Sequence, residues 1–162
     1  MQLRKILCAV DFSAASRTAL HYAADLAERF GAGLTLLHVY RMPAYPIPDG
    51  YVPLQPMVIR ESFARIDRAL AEWQREAEER GAHPVEAVSL PGSAWSEIVR
   101  RADEEGHDLV VLGRHGHSEL HDRILGSVAE RVVRHAPCPV LMVHQADEHV
   151  ADRDEPAPAP GP

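Results

Sequence analysis

Leu109-Val110-Val111-Leu112-Gly113-Arg114-His115-Gly116-His117, resumed after a polar interval by Gly126-Ser127-Val128-Ala129-Glu130-Arg131-Val132-Val133, is the stretch on which the fold turns. Four consecutive apolar residues suit a strand covered on both faces, because a half-exposed strand would alternate with polar residues. Ala129, Val132, Val133 and Ala136 then repeat at i, i+3, i+4 and i+7, the spacing of an amphipathic helix. Pro137 stops that helix, since proline cannot continue the hydrogen-bond ladder. A buried strand, a loop and a one-sided helix make one unit of an α/β domain.

The same unit recurs outward in both directions. Ile6 to Val10, Leu34 to Tyr40, Val85 to Leu90 and Val140 to Val143 are further short apolar runs of strand length. Leu20, Ala23, Ala24 and Ala27 form one helical stripe, and Trp95, Ile98, Val99 and Ala102 another. A longer stripe links Ile59, Phe63, Ile66, Leu70, Trp73 and Ala77, which places both tryptophans on core faces. Gly31, Gly81 and Gly106 follow three of these helices where a left-handed residue ends a helix, and Ser13 and Ser93 suit N-caps. Four strand–helix units and a fifth strand predict a three-layer α/β/α domain with a parallel sheet and right-handed crossovers. Two segments break the rhythm. Residues 41–56 hold five prolines and predict an irregular loop, and residues 145–162, acidic and ending in alternating prolines, predict a disordered tail after a domain spanning 1–144.

Composition sets the outer limits. The chain has 162 residues, 46% hydrophobic and 25% charged, which suits one globular domain rather than a disordered or fibrous chain. Its net charge is −7, of which the tail carries −4, so the near-neutral domain gives no reason to expect a nucleic-acid surface, while a local basic site stays open. No run approaches the ~20 apolar residues that cross a bilayer. Ile6 to Val10 is also too short for a signal-peptide core. Cys8 and Cys138 lie far apart and give neither a metal spacing nor a disulfide framework, so the expected setting is a reduced cytoplasm.

The loop between Leu112 and Val128 holds the chemistry. A helix amino terminus presents free N–H groups and about half a positive charge, which favours an anion. Gly126 permits close approach of a phosphate, Ser127 adds a hydroxyl, and Gly113 and Gly116 let the loop's first turn press against the same ligand. Arg114, Arg123 and three histidines make the loop locally basic within an acidic chain. The residues also fit a plainer account, because glycines flank loops in many α/β folds and Ser127 suits an N-cap. A Walker loop is excluded: the chain's single lysine is Lys5, far from any glycine-rich turn. A dinucleotide fingerprint is excluded as well, because Asp11-Phe12-Ser13 follows the first strand without glycine.

The spacing G-x2-G-x9-G-[ST], here Gly113, Gly116, Gly126 and Ser127, resembles the nucleotide motif of the universal stress protein family. The continuation from Gly126 to Val143, the opening Ile6 to Ser13 and Leu36-Leu37-His38-Val39 resemble the same family, so the likeness covers about residues 3–144. It implies a Rossmann-like five-stranded parallel sheet of order 3-2-1-4-5 that binds adenine nucleotide. Residues matching Asp11 and Gly113 would meet the ribose, with Ala9 and Val10 leading into that site and Arg114 beside it. The backbone at Val39 would read the adenine edge. Gly116, Gly126, Ser127 and Val128 would hold the phosphates. The implied function is a cytoplasmic stress protein that binds ATP as a regulatory ligand with little or no hydrolysis, Mg²⁺ accompanying the phosphates with Asp11 as helper. The alternative is a dimeric interaction module of the same fold that works without nucleotide. The family also pairs its last strand across a two-fold, which implies a homodimer through Val140, Leu141, Met142 and Val143.

Two positions depart from the family pattern. His117 stands where Lys or Arg is frequent, and Arg114 replaces a small hydroxyl residue. His115, His117, His121 and Asp122 raise the question of a metal, but no cysteine joins them and a phosphate loop accounts for them better. No G-x-S-x-G elbow marks a nucleophile, and no catalytic residue is assigned.

Overall fold

The computed structural model describes residues 3–41, 44–47, 50–53, 56–114 and 126–144. Chain order is β1 (Lys5–Ala9), α1 (Ala14–Phe30), β2 (Gly33–Tyr40), β3 (Ala44–Ile47), β4 (Gly50–Pro53), α2 (Pro56–Glu79), β5 (Val85–Pro91), α3 (Ala94–Glu104), β6 (Leu109–Gly113), α4 (Ser127–His135) and β7 (Val140–Val143). The main sheet is parallel in the order β5-β2-β1-β6-β7, which is 3-2-1-4-5 when its own strands are counted.

Both faces of this sheet are covered, which is why its strands read as unbroken apolar runs. On β1, Ile6 and Cys8 point into a core with Ala23, Ala24, Ala27, Leu70 and Trp73 from α1 and α2. Leu7 points the other way, against Ile98, Ala102, Ala129 and Val132 from α3 and α4. Full burial of side chains this size stabilises by roughly 1.5–3 kcal/mol each. The Cys8 thiol lies fully inside, and burial pushes its pKa up to about 12, so it packs as a small hydrophobe.

Helix ends follow their sequence signals. Ser13 caps α1 by accepting the Ser16 N–H at 3.2 Å. After α1, α2 and α3, Gly31, Gly81 and Gly106 adopt φ of 62°, 91° and 64°. In each case the next residue's N–H returns to a carbonyl five residues back, as Ala32 does to Ala27 at 2.9 Å. This reversal needs a left-handed residue, and glycine takes it without a Cβ penalty. Ser93 stands at the N-cap of α3 without a side-chain cap bond, and Ser127 is the first residue of α4 rather than its cap.

The proline-rich segment corrects one expectation. Instead of an irregular loop, 44–47 and 50–53 pair as an antiparallel hairpin with Ile47 opposite Gly50. A two-stranded ribbon has two open edges, so prolines whose missing N–H faces outward cost it no ladder bond. The intervening Pro48-Asp49 followed by Gly50 is a turn signal in its own right. The strand Val140 to Val143 does lie at a sheet edge, with Met142 exposed. No described helix is long and apolar enough to cross a membrane. The proposed tail, 145–162, lies outside the described residues.

Candidate functional site

Strand order reverses between β1 and β6, since the chain winds from β1 towards β5 on one side and from β6 to β7 on the other. Adjacent loops diverge there, which opens a crevice at the carboxyl ends of the strands. Ala9 pairs with Leu112, and the Val10 N–H donates to Leu37 O at 2.9 Å, so the tips of β1, β2 and β6 share one level. The Arg114 N–H then donates to Val143 O at 2.9 Å, and the Gly126 N–H donates to Arg114 O at 3.1 Å. That last bond draws the start of α4 onto the tip of β6.

These tips enclose a cavity of about 270 Å³. Its walls are largely apolar: Ala9, Leu37, Val39 and Leu112 from the strands, Ala94 and Ile98 from α3, and Val128 and Ala129 from α4. Such a slot suits a flat apolar ring. Its polar groups come from Asp11, Ser16, Arg114 and Ser127, and the backbone at Gly113 and Gly126 completes it. Nine of the ten residues singled out in the sequence thus line one space: Ala9, Val10, Asp11, Val39, Gly113, Arg114, Gly126, Ser127 and Val128. The tenth, Gly116, lies outside the described residues, as do His115, His117, His121, Asp122 and Arg123. Among the described residues no group of three His, Cys, Asp or Glu could hold a metal.

The local sequence sets Asp11 in place. Its Oδ1 accepts from the Ser13 N–H at 3.0 Å and from the Ser13 hydroxyl at 2.5 Å, while its own N–H donates to Ser16 Oγ at 3.3 Å. Phe12, between them, sits at φ 65°, a left-handed position unusual for an aromatic residue. Such a conformation costs of order 1–3 kcal/mol and persists only where its surroundings fix it. Here they do: the Phe12 ring packs 4.5 Å from His38 and 5.3 Å from Trp73, and His38 Nδ1 lies 2.9 Å from Val10 O. The turn that carries the carboxylate is therefore formed before any ligand arrives.

Glycine at 113 has a reason beyond ligand approach. A Cβ there would meet the backbone carbon and oxygen of Ala15 at 3.0 and 3.1 Å. A side chain at 113 would press on the first turn of α1, so glycine lets that turn sit close on the tip of β6.

The start of α4 is an anion cradle by construction. Gly126 is its N-cap and supplies no side-chain oxygen. The one acid in the first turn, Glu130, pairs with Arg134 at 2.8 Å instead of folding back on the amides. The first helical bond runs from the Glu130 N–H to Gly126 O, and among the described residues no acceptor is bonded to the amides of Ser127, Val128 or Ala129. Orphan amides of this kind and the helix dipole favour a negative group.

Several lining residues carry no sequence signal for binding. Ile98 and Ala129 sit on helical stripes that read only as core, and Leu37 and Leu112 lie within apolar strand runs. Ser16 is buried, and its hydroxyl donates to Ser13 O at 3.1 Å while supporting the Asp11 amide. The spacing Asp11-x-Ser13-x-x-Ser16 is the feature that could have marked it.

Comparison with known proteins agrees with this geometry. The model of the universal stress protein family matches residues 2–144. A universal stress protein of Methanocaldococcus jannaschii is 34% identical over 142 residues, 86% of this chain and 81% of its own length. The universal stress protein YxiE of Bacillus subtilis is 32% identical, covering 86% of this chain and 97% of its own length. Among solved structures, UspA from Lactobacillus plantarum superposes with a TM-score of 0.76 at 29% identity, over 88% of this chain and 99% of that one. A universal stress protein in complex with cAMP gives 0.70 at 27% identity, over 90% of this chain and all of its own. One from Archaeoglobus fulgidus in complex with dAMP gives 0.62 at 25% identity, over 88% of this chain and 99% of that one. With its sheet order, its crevice and the glycine and serine that open α4, the chain belongs to the universal stress protein family.

Proposed function

We propose that the crevice binds an adenine nucleotide, with ATP as a regulatory ligand that is hydrolysed slowly or not at all. The observation that carries this reading is the meeting, in one cavity, of an apolar slot, a pre-set carboxylate and α4 amides that no described residue engages. The slot takes the base against Leu37, Val39 and Ile98. The Asp11 carboxylate accepts the ribose hydroxyls, a charge-assisted bond, and the α4 amides hold the phosphates. Likeness to proteins solved with cAMP and dAMP supports the base and ribose parts.

Slow turnover follows from what lines the cavity. Its described walls hold one acid, Asp11, whose Oδ1 is engaged by Ser13, and no lysine. Phosphoryl transfer also needs a group to orient the attacking water; the described walls carry Arg114 for charge, but their one acid is engaged by Ser13. Mg²⁺ would ride on the phosphates with Asp11 nearby. The protein works in the cytoplasm, consistent with two free cysteines. It dimerises through the open edge of β7, where Leu141 and Met142 remain partly exposed.

Protein purified from cells and denatured should release adenine nucleotide, identified by absorbance and chromatography, and emptied protein should take up ATP in calorimetry. Protein that is always empty and ignores ATP, ADP, AMP and cAMP would refute the reading.

A further inference from the structure

A second recess, of about 300 Å³, adjoins the nucleotide crevice and shares Val39, Ala94, Ser127 and Val128 with it. Its remaining walls bring together Arg41 beyond β2, Gly92, Ser93 and Trp95 at the start of α3, and Arg131 on α4. Arg17, Arg80, Arg100, Arg101 and Arg134 are each paired with a carboxylate. Arg41, Arg131 and the crevice's own Arg114 form no ion pair among the described residues, and Asp11 is the single described acid lining either space. In a chain of net charge −7, three arginines against one carboxylate at a double cavity is a local reversal of sign.

The arginines are also placed to act together. Side chains on a helix lean towards its amino end, so Arg131 leans back from one turn inside α4 towards the Ser127 and Val128 amides. Its guanidinium rests 5.7 Å from the centre of the Trp95 ring, which holds the side chain without neutralising it. The Ser93 hydroxyl, which makes no cap bond, adds a donor on the α3 side. A phosphate seated on the Ser127 and Val128 amides would stand at the junction of the two spaces. Any further phosphate in the chain would have the arginine-lined recess beside it.

The geometry points to a polyphosphate subsite: Arg41 and Arg131 receive the phosphates beyond the first, so the protein selects nucleoside di- and triphosphates over monophosphates. This rests on the adenine-nucleotide reading of the crevice and adds to it the choice of phosphate number.

The test is titration of the intact protein with ATP and with AMP, for the wild type and the Arg41→Gln, Arg131→Gln and Arg131→Lys variants. Losing one charge-assisted contact should weaken ATP binding by about tenfold and leave AMP within about twofold. Arg131→Lys should keep part of the preference, because it keeps the charge and loses the planar fork. Arg41 stands outside the core, so its variant carries the test even if Arg131→Gln loosens Trp95. An ATP-to-AMP affinity ratio near one in the wild type, or one that neither glutamine variant changes, overturns the subsite and leaves the crevice reading intact. Failure of both nucleotides to bind the wild type overturns both.

Discussion

The two ends of the parallel sheet are built on opposite plans. At the amino ends of the strands several polar groups find partners within the fold, the buried His107 Nδ1 and Arg101 Nε being exceptions. Asp108 accepts the backbone N–H groups of Arg4 and Lys5 at 2.8 and 3.0 Å, which hold its carboxyl below the usual range. The Lys5 ammonium donates to Glu105 O, and the buried His107 meets Thr35 Oγ1 at 3.2 Å. At the carboxyl ends, the amides of α4 have no described acceptor, a carboxylate is held at the rim, and Phe12 carries a strained backbone. The amino ends use their polar groups largely within the fold, and at the carboxyl ends the first α4 amides meet no acceptor among the described residues. Backbone strain is a mark of functional sites, and here it lies at the carboxyl ends, at Phe12.

Substitutions can break this contrast, and the largest effect belongs to the open end. Gly126→Asp sets a carboxylate on the α4 amides, where it mimics the ligand and repels phosphate. Adenine-nucleotide affinity in calorimetry should fall by about a hundredfold or more, while stability holds or rises because an N-cap has been gained. Unchanged affinity would mean the ligand does not use these amides. Ser13→Ala should come next. It removes an N-cap and one partner of Asp11, so denaturant unfolding should show a loss of about 1 kcal/mol, with weaker nucleotide binding besides. An equal loss of stability without any change in affinity would reduce Ser13 to a cap alone.

The closed end predicts a pH effect instead. Burial pushes the His107 imidazole below its ordinary range, the first cause outweighing the attraction of Glu105. The unfolded chain therefore takes up a proton near pH ~6.5 before the folded protein does. Stability is complete above that pH and declines as the pH falls towards the folded value. His107→Gln should flatten the decline between about pH 7 and 5 in chemical denaturation and leave nucleotide binding alone. A wild-type curve that is flat over this window would contradict the assignment. A variant that changed nucleotide affinity would break the contrast between the ends.

The closed architecture was the more legible half. Continuous apolar runs announced strands buried on both faces, and the observed sheet alternates Ile6 and Cys8 against Leu7 as that requires. Gly31, Gly81 and Gly106 marked helix ends because left-handed reversals leave few other choices. The hairpin at 44–53 was missed because its prolines argue for loop more loudly than Pro48-Asp49-Gly50 argues for a turn. Of the site, the polar and glycine positions were visible, and of its apolar lining Ala9, Val10, Val39 and Val128 were, but Leu37, Ala94, Ile98, Leu112 and Ala129 were not. Ile98 and Ala129 look the same in sequence whether they face a neighbour or a cavity, since periodicity reports only the side they are on. Phe12 gave no sign of its left-handed backbone, which the packing of His38 and Trp73 imposes from 26 and 61 residues away. The pairing of Thr35 with His107, 72 residues apart, was equally hidden.

The most direct test is the backbone amide spectrum of the labelled protein during titration with ATP. Resonances of Gly126, Ser127, Val128 and Ala129 should move to saturation together with that of Asp11, while those of Lys5, His107 and Asp108 stay in place. Binding that shifted the amino-end resonances and left the start of α4 unmoved would contradict the account.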